Sequence, residues 1–528
     1  MLTFRRPATT MQNAGSPINH WSVRMLYNPT ESISPDIPVH GVHSSSDPAN
    51  APASLAQAEA TFRRYFPAYA RTCALDALRA TEYARLDRAG HVYLDYTGGG
   101  LYADSQVRAH TELLLGNVFG NPHSTNPTSL AMTHLVEAAR ASVLEFFHAS
   151  PDEYAVIFTQ NASGALKLVG ESYPFAPGSR YLLTFDNHNS VNGIREFARA
   201  RGAQVIYAPV LPPDMYTDDE KLAAHLESAD ARAHNLFAYP AQSNFSGVRH
   251  SLEWIARAQS HGWDVLLDAA AFVPTSALDL SRYHPDFVTL SFYKIFGHPT
   301  GIGALLARKS ALAKLHRPWF AGGTISVASV QSERYYLHEG SEGFEDGTLN
   351  YLALPAIAIG LRHIAGIGLE TIHTRVHCLT CWLLNSLTAL RHSNGAPLLH
   401  IYGPVTTHRR GGTITFNFYD PDGMFLDHRL VERRANAVNI SLRTGCFCNP
   451  GGGELALGIS AEELSSCFVR YDDRLTLDEF RRCIDDKSTG AVRISTGLVT
   501  TFADVFAFTQ FAASFLDKRA ADFWSDLA

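Results

Sequence analysis

Nowhere do the 528 residues approach the roughly 18 uninterrupted apolar positions that a bilayer-spanning helix needs, and the first residues lack the apolar block of a secretory signal. Charge of one sign is scarce too. Lys and Arg number 44 against 51 Asp and Glu, a formal net charge of -7, and no basic run offers a footprint for phosphates. Neither a membrane nor a nucleic acid is therefore an expected partner. Cysteine is sparse, and seven is an odd number, which fits free thiols in a reducing compartment better than a disulfide framework. A cytoplasmic location follows as the expectation. Arg5, Arg6 and Arg24 precede the first acid, Glu31, and keep mitochondrial targeting as the alternative. The Cys446-x-Cys448 pair has no second pair at metal-ligand spacing, so no metal site is expected.

What is present is enough apolar sequence, 46%, for a large core in one two-lobed unit or two domains. Residues 1–62 carry Pro, Ser, Asn and Ala without periodicity and read as a mobile extension. Over 63–350, strand, loop and helix alternate. The strands are Tyr154–Phe158, Tyr181–Phe185, Ala203–Tyr207, Leu236–Tyr239, Trp263–Leu267 and Phe287–Leu290. That repetition predicts an α/β domain with a largely parallel sheet, whose ligands sit at the carboxyl ends of the strands. After Asn350 the texture changes. Helices are expected over Ala353–Ile364 and Leu369–Leu390, then an exposed-face strand over Gly412–Phe418, a segment Gly490–Ser495 and a helix over Thr501–Leu516. Residues 351–528 thus read as a smaller α+β domain.

Chemistry-bearing residues gather at the predicted strand ends. Lys294 is isolated in sequence, the nearest lysines being Lys221 and Lys309, and it follows the apolar run Phe287–Leu290. An amine there either snorkels to water or, desolvated, becomes a nucleophile suited to a Schiff base. Asp268 ends another apolar strand and needs a cationic partner, such as a protonated pyridine nitrogen, an internal ion pair or a helix cap. The Thr159–Gly164 turn opens a helix. Its amides, those of Ala162 and Ser163 included, and the Ser163 hydroxyl suit a phosphate, or else merely cap the helix. His188 lies in a strand-end loop, where an imidazole either stacks on a flat ring or is structural. Asn244 offers a donor for a phenolic oxygen, or simple turn chemistry. Arg443-Thr-Gly-Cys446-Phe-Cys448-Asn-Pro sets two thiols beside an arginine and glycines, conditions that favour thiolate. Cys378-x-x-Cys381 falls within a helical pattern and reads as core.

Together these segments resemble the class V aminotransferase family of pyridoxal-phosphate enzymes, and within it the molybdenum cofactor sulfurase and cysteine desulfurase branches. The matching pieces are Tyr93–Leu101, Phe119–Ser124, Asp186–Arg195, Leu267–Val273, Ser291–Gly297, Arg443–Pro450 and Gly490–Ser495. The resemblance implies fold type I, with a mostly parallel seven-stranded sheet and a smaller α+β domain. It implies pyridoxal 5'-phosphate bound through Lys294, with Asp268 on the pyridine nitrogen and His188 on the ring. Ser163 and Ser291 would hold the phosphate with Thr348 of a neighbouring subunit, hence a homodimer. Arg443 and Arg493 would take the substrate carboxylate, and Cys448 would accept sulfur from L-cysteine as a persulfide for transfer to an acceptor. The chain departs from the desulfurase pattern at Tyr293, where a histidine is usual, and at Ala271, where a glutamine often stands. It also continues only briefly beyond residue 516, so the expectation is a sulfurtransferase without the sulfurase's further domain. The alternative is a stand-alone class V lyase or aminotransferase for a specialised amino acid, with a non-catalytic regulatory module as a third reading.

Overall fold

Seven strands build the main sheet of the computed structural model, which describes residues 54–470, 476, 479, 483 and 490–526. The strands are β1 Tyr154–Thr159, β2 Arg180–Thr184, β3 Gln204–Ala208, β4 Asn235–Pro240, β5 Trp263–Asp268, β6 Phe287–Ser291 and β7 Gly303–Arg308. Their spatial order is β1-β7-β6-β5-β4-β2-β3. Only β7 runs against its neighbours, pairing antiparallel with both β1 and β6. The other six strands share one direction, so the loops after Thr159, Thr184, Pro240, Asp268 and Ser291 emerge on one edge.

The apolar runs that predicted six of these strands are explained by burial on both faces; Gly303–Arg308 was not anticipated. Leu182, Phe237, Tyr239, Val265 and Leu267 join one core cluster, whereas their strand neighbours Tyr181, Leu183, Leu236, Ala238 and Leu266 join another. Consecutive residues of a strand point to opposite faces, and both faces here are covered.

A second, antiparallel sheet has the order β8-β9-β11-β10, from Leu399–Tyr402 (β8), Thr413–Phe418 (β9), Arg443–Gly445 (β10) and Ala491–Ser495 (β11). All six residues of β9 are buried, which corrects the expected exposed face. The alternating Thr and Asn that suggested water are satisfied internally: Thr415 Oγ1 donates to the Phe245 carbonyl (2.6 Å) and Asn417 Nδ2 to Tyr402 Oη (3.0 Å). The helices Pro355–Ile367, Leu369–Ala389 and Phe502–Ala513 lie close to their expected ranges. Cys378, in the second of these, is buried.

Two further expectations change. Leu55–Tyr65 is a helix with a Ser54/Gln57 capping box, and Phe62 is fully buried with its ring 4.6 Å from that of Phe502. The first described element therefore begins inside the range 1–62, while residues 1–53 of the expected extension lie outside the described residues. Among the described cysteines, Cys467 and Cys483 are joined and five are free, a single bridge where free thiols rather than a disulfide framework were expected. Their Cα atoms lie 5.6 Å apart, inside the range a disulfide spans. Among the described residues no helix is long and apolar enough to cross a membrane.

Candidate active site

Lys294 sits in a single helical turn, Phe292–Phe296, that follows β6 directly. The Thr97-Gly-Gly-Gly100 run lies against this turn. Gly100 N donates to the Tyr293 carbonyl (3.0 Å), and a Cβ at Gly100 would come within 2.8 Å of the Lys294 carbonyl oxygen, so only glycine fits there. Lys294 is half-buried, and its Nζ has no hydrogen-bond partner among the described residues. Desolvation pulls its pKa below the ordinary lysine value; Asp268 and Cys448 push the other way, while Arg493 and Arg443 add to the depression. Such an amine is more nucleophilic at neutral pH than a surface lysine.

Asp268 ends β5 and is 9% exposed. One carboxylate oxygen accepts from Ala270 N (3.0 Å), and its field acts on both Lys294 and His188. His188 accepts the Ser190 amide at Nδ1 (3.1 Å), so a neutral ring carries its proton on Nε2. Burial lowers the His188 pKa, Asp268 opposes that, and Lys294 and Arg493 reinforce it. Beneath this loop Asp186 meets His250 at 3.0 Å with both side chains fully buried. Burial alone would raise the Asp186 carboxyl, but the charge and hydrogen bond of His250, with the Thr184 and Ser243 hydroxyls, hold it below the usual value.

The turn after β1 caps the helix Ala162–Ser172 through Asn161, whose Oδ1 accepts from Gly164 N (3.0 Å). Capping and anion binding coexist here. Ala162 N donates to Ser291 Oγ (2.9 Å), and Ser163 Oγ lies 2.5 Å from Ser190 Oγ. Three hydroxyls and the positive end of an 11-residue helix therefore meet at one corner. Ser190 was missed in the sequence; only its place two residues after His188 hints at it. Thr348 is exposed and borders a cleft of about 400 Å³ shared with Thr159, Gln160 and Gly164 of its own chain.

The cysteine loop is a tight left-handed turn. Phe447 (φ 56°) and Cys448 (φ 55°) both have positive φ, and Asn449 N donates to the Cys446 carbonyl (3.0 Å), the pattern of a type I′ turn. A bulky residue such as Phe is strained there. Four contacts hold it. Asn189 N donates to the Cys448 carbonyl (2.7 Å), Asn244 Nδ2 to the Phe447 carbonyl (2.7 Å), and Asn449 Nδ2 to the Asp186 carbonyl (2.7 Å) and to Asn244 Oδ1 (2.9 Å). Asn244 is thus tied to the cysteine loop through one amide hydrogen and its oxygen. Asn449 was not singled out in the sequence, although it follows Cys448 directly. Both cysteines are exposed, and the charge of Cys448 is among the main influences on Lys294, Tyr293 and Arg493.

Arg443 and Arg493 converge on a residue the sequence reading left without a role. Arg443 Nε and Nη2 donate to Asp95 Oδ2 (2.9 and 2.6 Å), and Arg493 Nη2 donates to Asp95 Oδ1 (3.1 Å). Arg493 Nη1 donates to the Asn244 carbonyl (3.0 Å), its guanidinium carbon lies 4.6 Å from the Phe447 ring centre, and its Nε is buried without a partner. Burial pulls the Arg493 pKa down while Asp95 raises it; hydrogen bonding to Asp95 raises that of Arg443. The signal for Asp95 was its place among the apolar and aromatic residues of Tyr93-Leu-Asp-Tyr96, where an unpaired carboxylate is as costly as at Asp268.

A family profile for class V aminotransferases matches residues 92–508. The chain belongs to the class V aminotransferase family. Among curated relatives, the molybdenum cofactor sulfurase of Homo sapiens is 40% identical over 463 residues, covering 83% of this chain and 51% of the relative. That of Arabidopsis thaliana is 38% identical over 481 residues, covering 83% and 58%. The chain thus spans a little over half the length of these relatives. Among solved structures, a cysteine desulfurase from Thermococcus onnurineus NA1 superposes with a TM-score of 0.68 at 24% identity, covering 84% of this chain and 98% of the other. A cystine C-S lyase in complex with cysteine persulfide superposes with a TM-score of 0.61 at 18% identity, covering 81% and 98%. These likenesses agree with the fold expected of a class V pyridoxal-phosphate enzyme. The groups present fit that cofactor: an amine without a partner for the aldehyde, a buried carboxylate for the pyridine nitrogen, an imidazole beside both, and a hydroxyl-lined helix end for the phosphate.

Proposed function

We propose that this enzyme is a sulfurtransferase of the cysteine desulfurase type, which takes sulfur from L-cysteine onto Cys448 and releases alanine. The observation that carries the reading is the setting of Cys448, whose strained turn is tied by Asn189, Asn244 and Asn449 next to Lys294 and Arg493. A thiol needed only for packing has no reason to be exposed at such a turn.

Lys294 would hold the cofactor aldehyde, Asp268 the pyridine nitrogen and His188 the ring face, while Ser163, Ser291 and the amides of Ala162 and Ser163 would take the phosphate. When bound, pyridoxal phosphate withdraws electrons from the substrate and so makes its C–S bond labile. Arg493 and Arg443 orient the substrate carboxylate. The Cys448 thiolate attacks the substrate sulfur: an S–S bond forms to Cys448 as the C–S bond breaks, leaving a persulfide on the protein. Lys294 carries the proton that alanine gains. Sulfur then passes to an acceptor.

The site belongs to a homodimer in this reading. The support is an exposed hairpin, Ile325–Ser329 with Arg334–Leu337, on which Val327, Val330, Tyr335 and Tyr336 face outward near exposed Trp319 and Phe320. An apolar patch of that kind marks an interface. Thr348, exposed close to the end of the same region, is available to the phosphate of a second copy.

Incubating the cofactor-loaded protein with L-cysteine tests the proposal. Alanine and protein-bound sulfane sulfur should appear in equal amounts in a single turnover. Sulfide or pyruvate without sulfur on the protein would instead support the lyase reading.

A further inference from the structure

The register of the second sheet sets two like charges opposite each other. Arg443 of β10 is the direct pairing partner of Arg493 of β11, an arrangement that destabilises a sheet unless something anionic joins it. Asp95 is that anion, and the backbone fixes it. Val92–Tyr93 pairs in parallel with Ile440–Ser441, Asp95 bridges to Ser495, and Ser495 N donates to the Leu94 carbonyl (2.7 Å). The Asp95 side chain is 9% exposed and spends one oxygen on each arginine. Two guanidiniums and one carboxylate leave a single net positive charge. Arg493 Nε, in a side chain 3% exposed, is left as a buried donor without a partner.

Resting on the reading of this site as an amino-acid site, we propose that Asp95 is its specificity-determining and positioning residue. It cancels one of the two guanidinium charges and ties Arg443 beside Arg493, so that the pair serves a single carboxylate. The bay then accepts an amino acid with one carboxylate and turns away one that carries a second acidic group. Without Asp95, Arg443 is free to bind that second acid, and the bay holds two positive charges.

The test compares equilibrium binding of L-alanine and L-aspartate to the cofactor-loaded enzyme, read from the absorbance of the bound cofactor. The quantity of interest is the ratio of the aspartate Kd to the alanine Kd. Asp95→Asn should lower that ratio by about tenfold to a hundredfold, the effect of one added charge in a partly desolvated site. Asp95→Glu should return it toward the wild-type value. A merely structural role would weaken both ligands together and leave the ratio alone, which would overturn the proposal. If Asp95→Asn does not fold, Arg443→Gln serves: with one cation gone the ratio should rise, and an unchanged ratio is equally fatal. Wild-type protein that gives no response to alanine would overturn the amino-acid site itself, an outcome distinct from an unchanged ratio in the variant.

Discussion

Phe447 allows the left-handed turn to be tested through the sign of a stability difference. Replacing it with alanine removes a ring that is 7% exposed, 4.6 Å from the Arg493 guanidinium carbon and 5.5 Å from the Phe245 ring. Truncating a buried phenylalanine costs about 3–5 kcal/mol. Alanine keeps a Cβ, so the strain at φ 56° remains. Glycine loses the same ring but recovers about 1–2 kcal/mol of left-handed strain. Against that stands about 0.5–1 kcal/mol of extra conformational entropy in the unfolded chain. Phe447→Gly should therefore be more stable than Phe447→Ala by about 0.8 kcal/mol at the middle of these ranges, which span about 0–1.5 kcal/mol, the reverse of their order at ordinary positions in helices or strands. Urea denaturation of the two apoproteins, followed side by side by circular dichroism, gives the difference directly. An alanine variant more stable than the glycine variant would refute the turn and, with it, the account of how Cys448 is held.

Lys294 should make the stability of the apoprotein depend on pH. Its folded pKa lies below the ordinary value, so between the two pKa values the unfolded chain binds more protons and stability rises with pH. Lys294→Met should be more stable at pH 7, by about 1.4 kcal/mol for each unit of depression, and should flatten that rise; a methionine variant less stable at pH 7 contradicts the assignment. Arg79 binds Asp504 through two contacts (2.6 and 3.0 Å), both side chains being buried. Arg79→Met should cost about 3–5 kcal/mol by stranding the Asp504 carboxylate, and denaturation showing under 1 kcal/mol would remove this pair from the fold's supports. Tyr336→Glu places a charge on the exposed hairpin and should shift the protein from dimer to monomer in sedimentation. Unchanged sedimentation would move the interface elsewhere.

Six of the seven strands of the main sheet were readable because burial leaves apolar runs in the sequence, whereas the antiparallel Gly303–Arg308 was not among them. Lys294, Asp268 and His188 were readable for a related reason: each is a polar residue at the end of such a run, where its charge needs a purpose. The depth of β9 was not readable, since its Thr and Asn side chains find partners in Phe245, 170 residues away, and in Tyr402 of the neighbouring β8. Nor was the turn at Cys446–Asn449. Positive φ at Phe447 and Cys448 is held by Asn189, Asn244 and Asn449, two of which lie more than 200 residues away in sequence. Asp95 went unassigned because its two partners lie 348 and 398 residues further along the chain.

The central claim is that Cys448 receives the sulfur, and a pair of single-cysteine variants tests it most directly. With L-cysteine supplied to the cofactor-loaded protein, Cys448→Ala should form no protein-bound persulfide and release alanine far more slowly. Binding of cysteine should persist, because Lys294, Asp268 and Arg493 are untouched. Cys446→Ala should keep most of the wild-type alanine release, since Cys446 exerts no comparable influence on Lys294 or Arg493. Wild-type turnover in Cys448→Ala would contradict the account and leave a lyase or aminotransferase in its place.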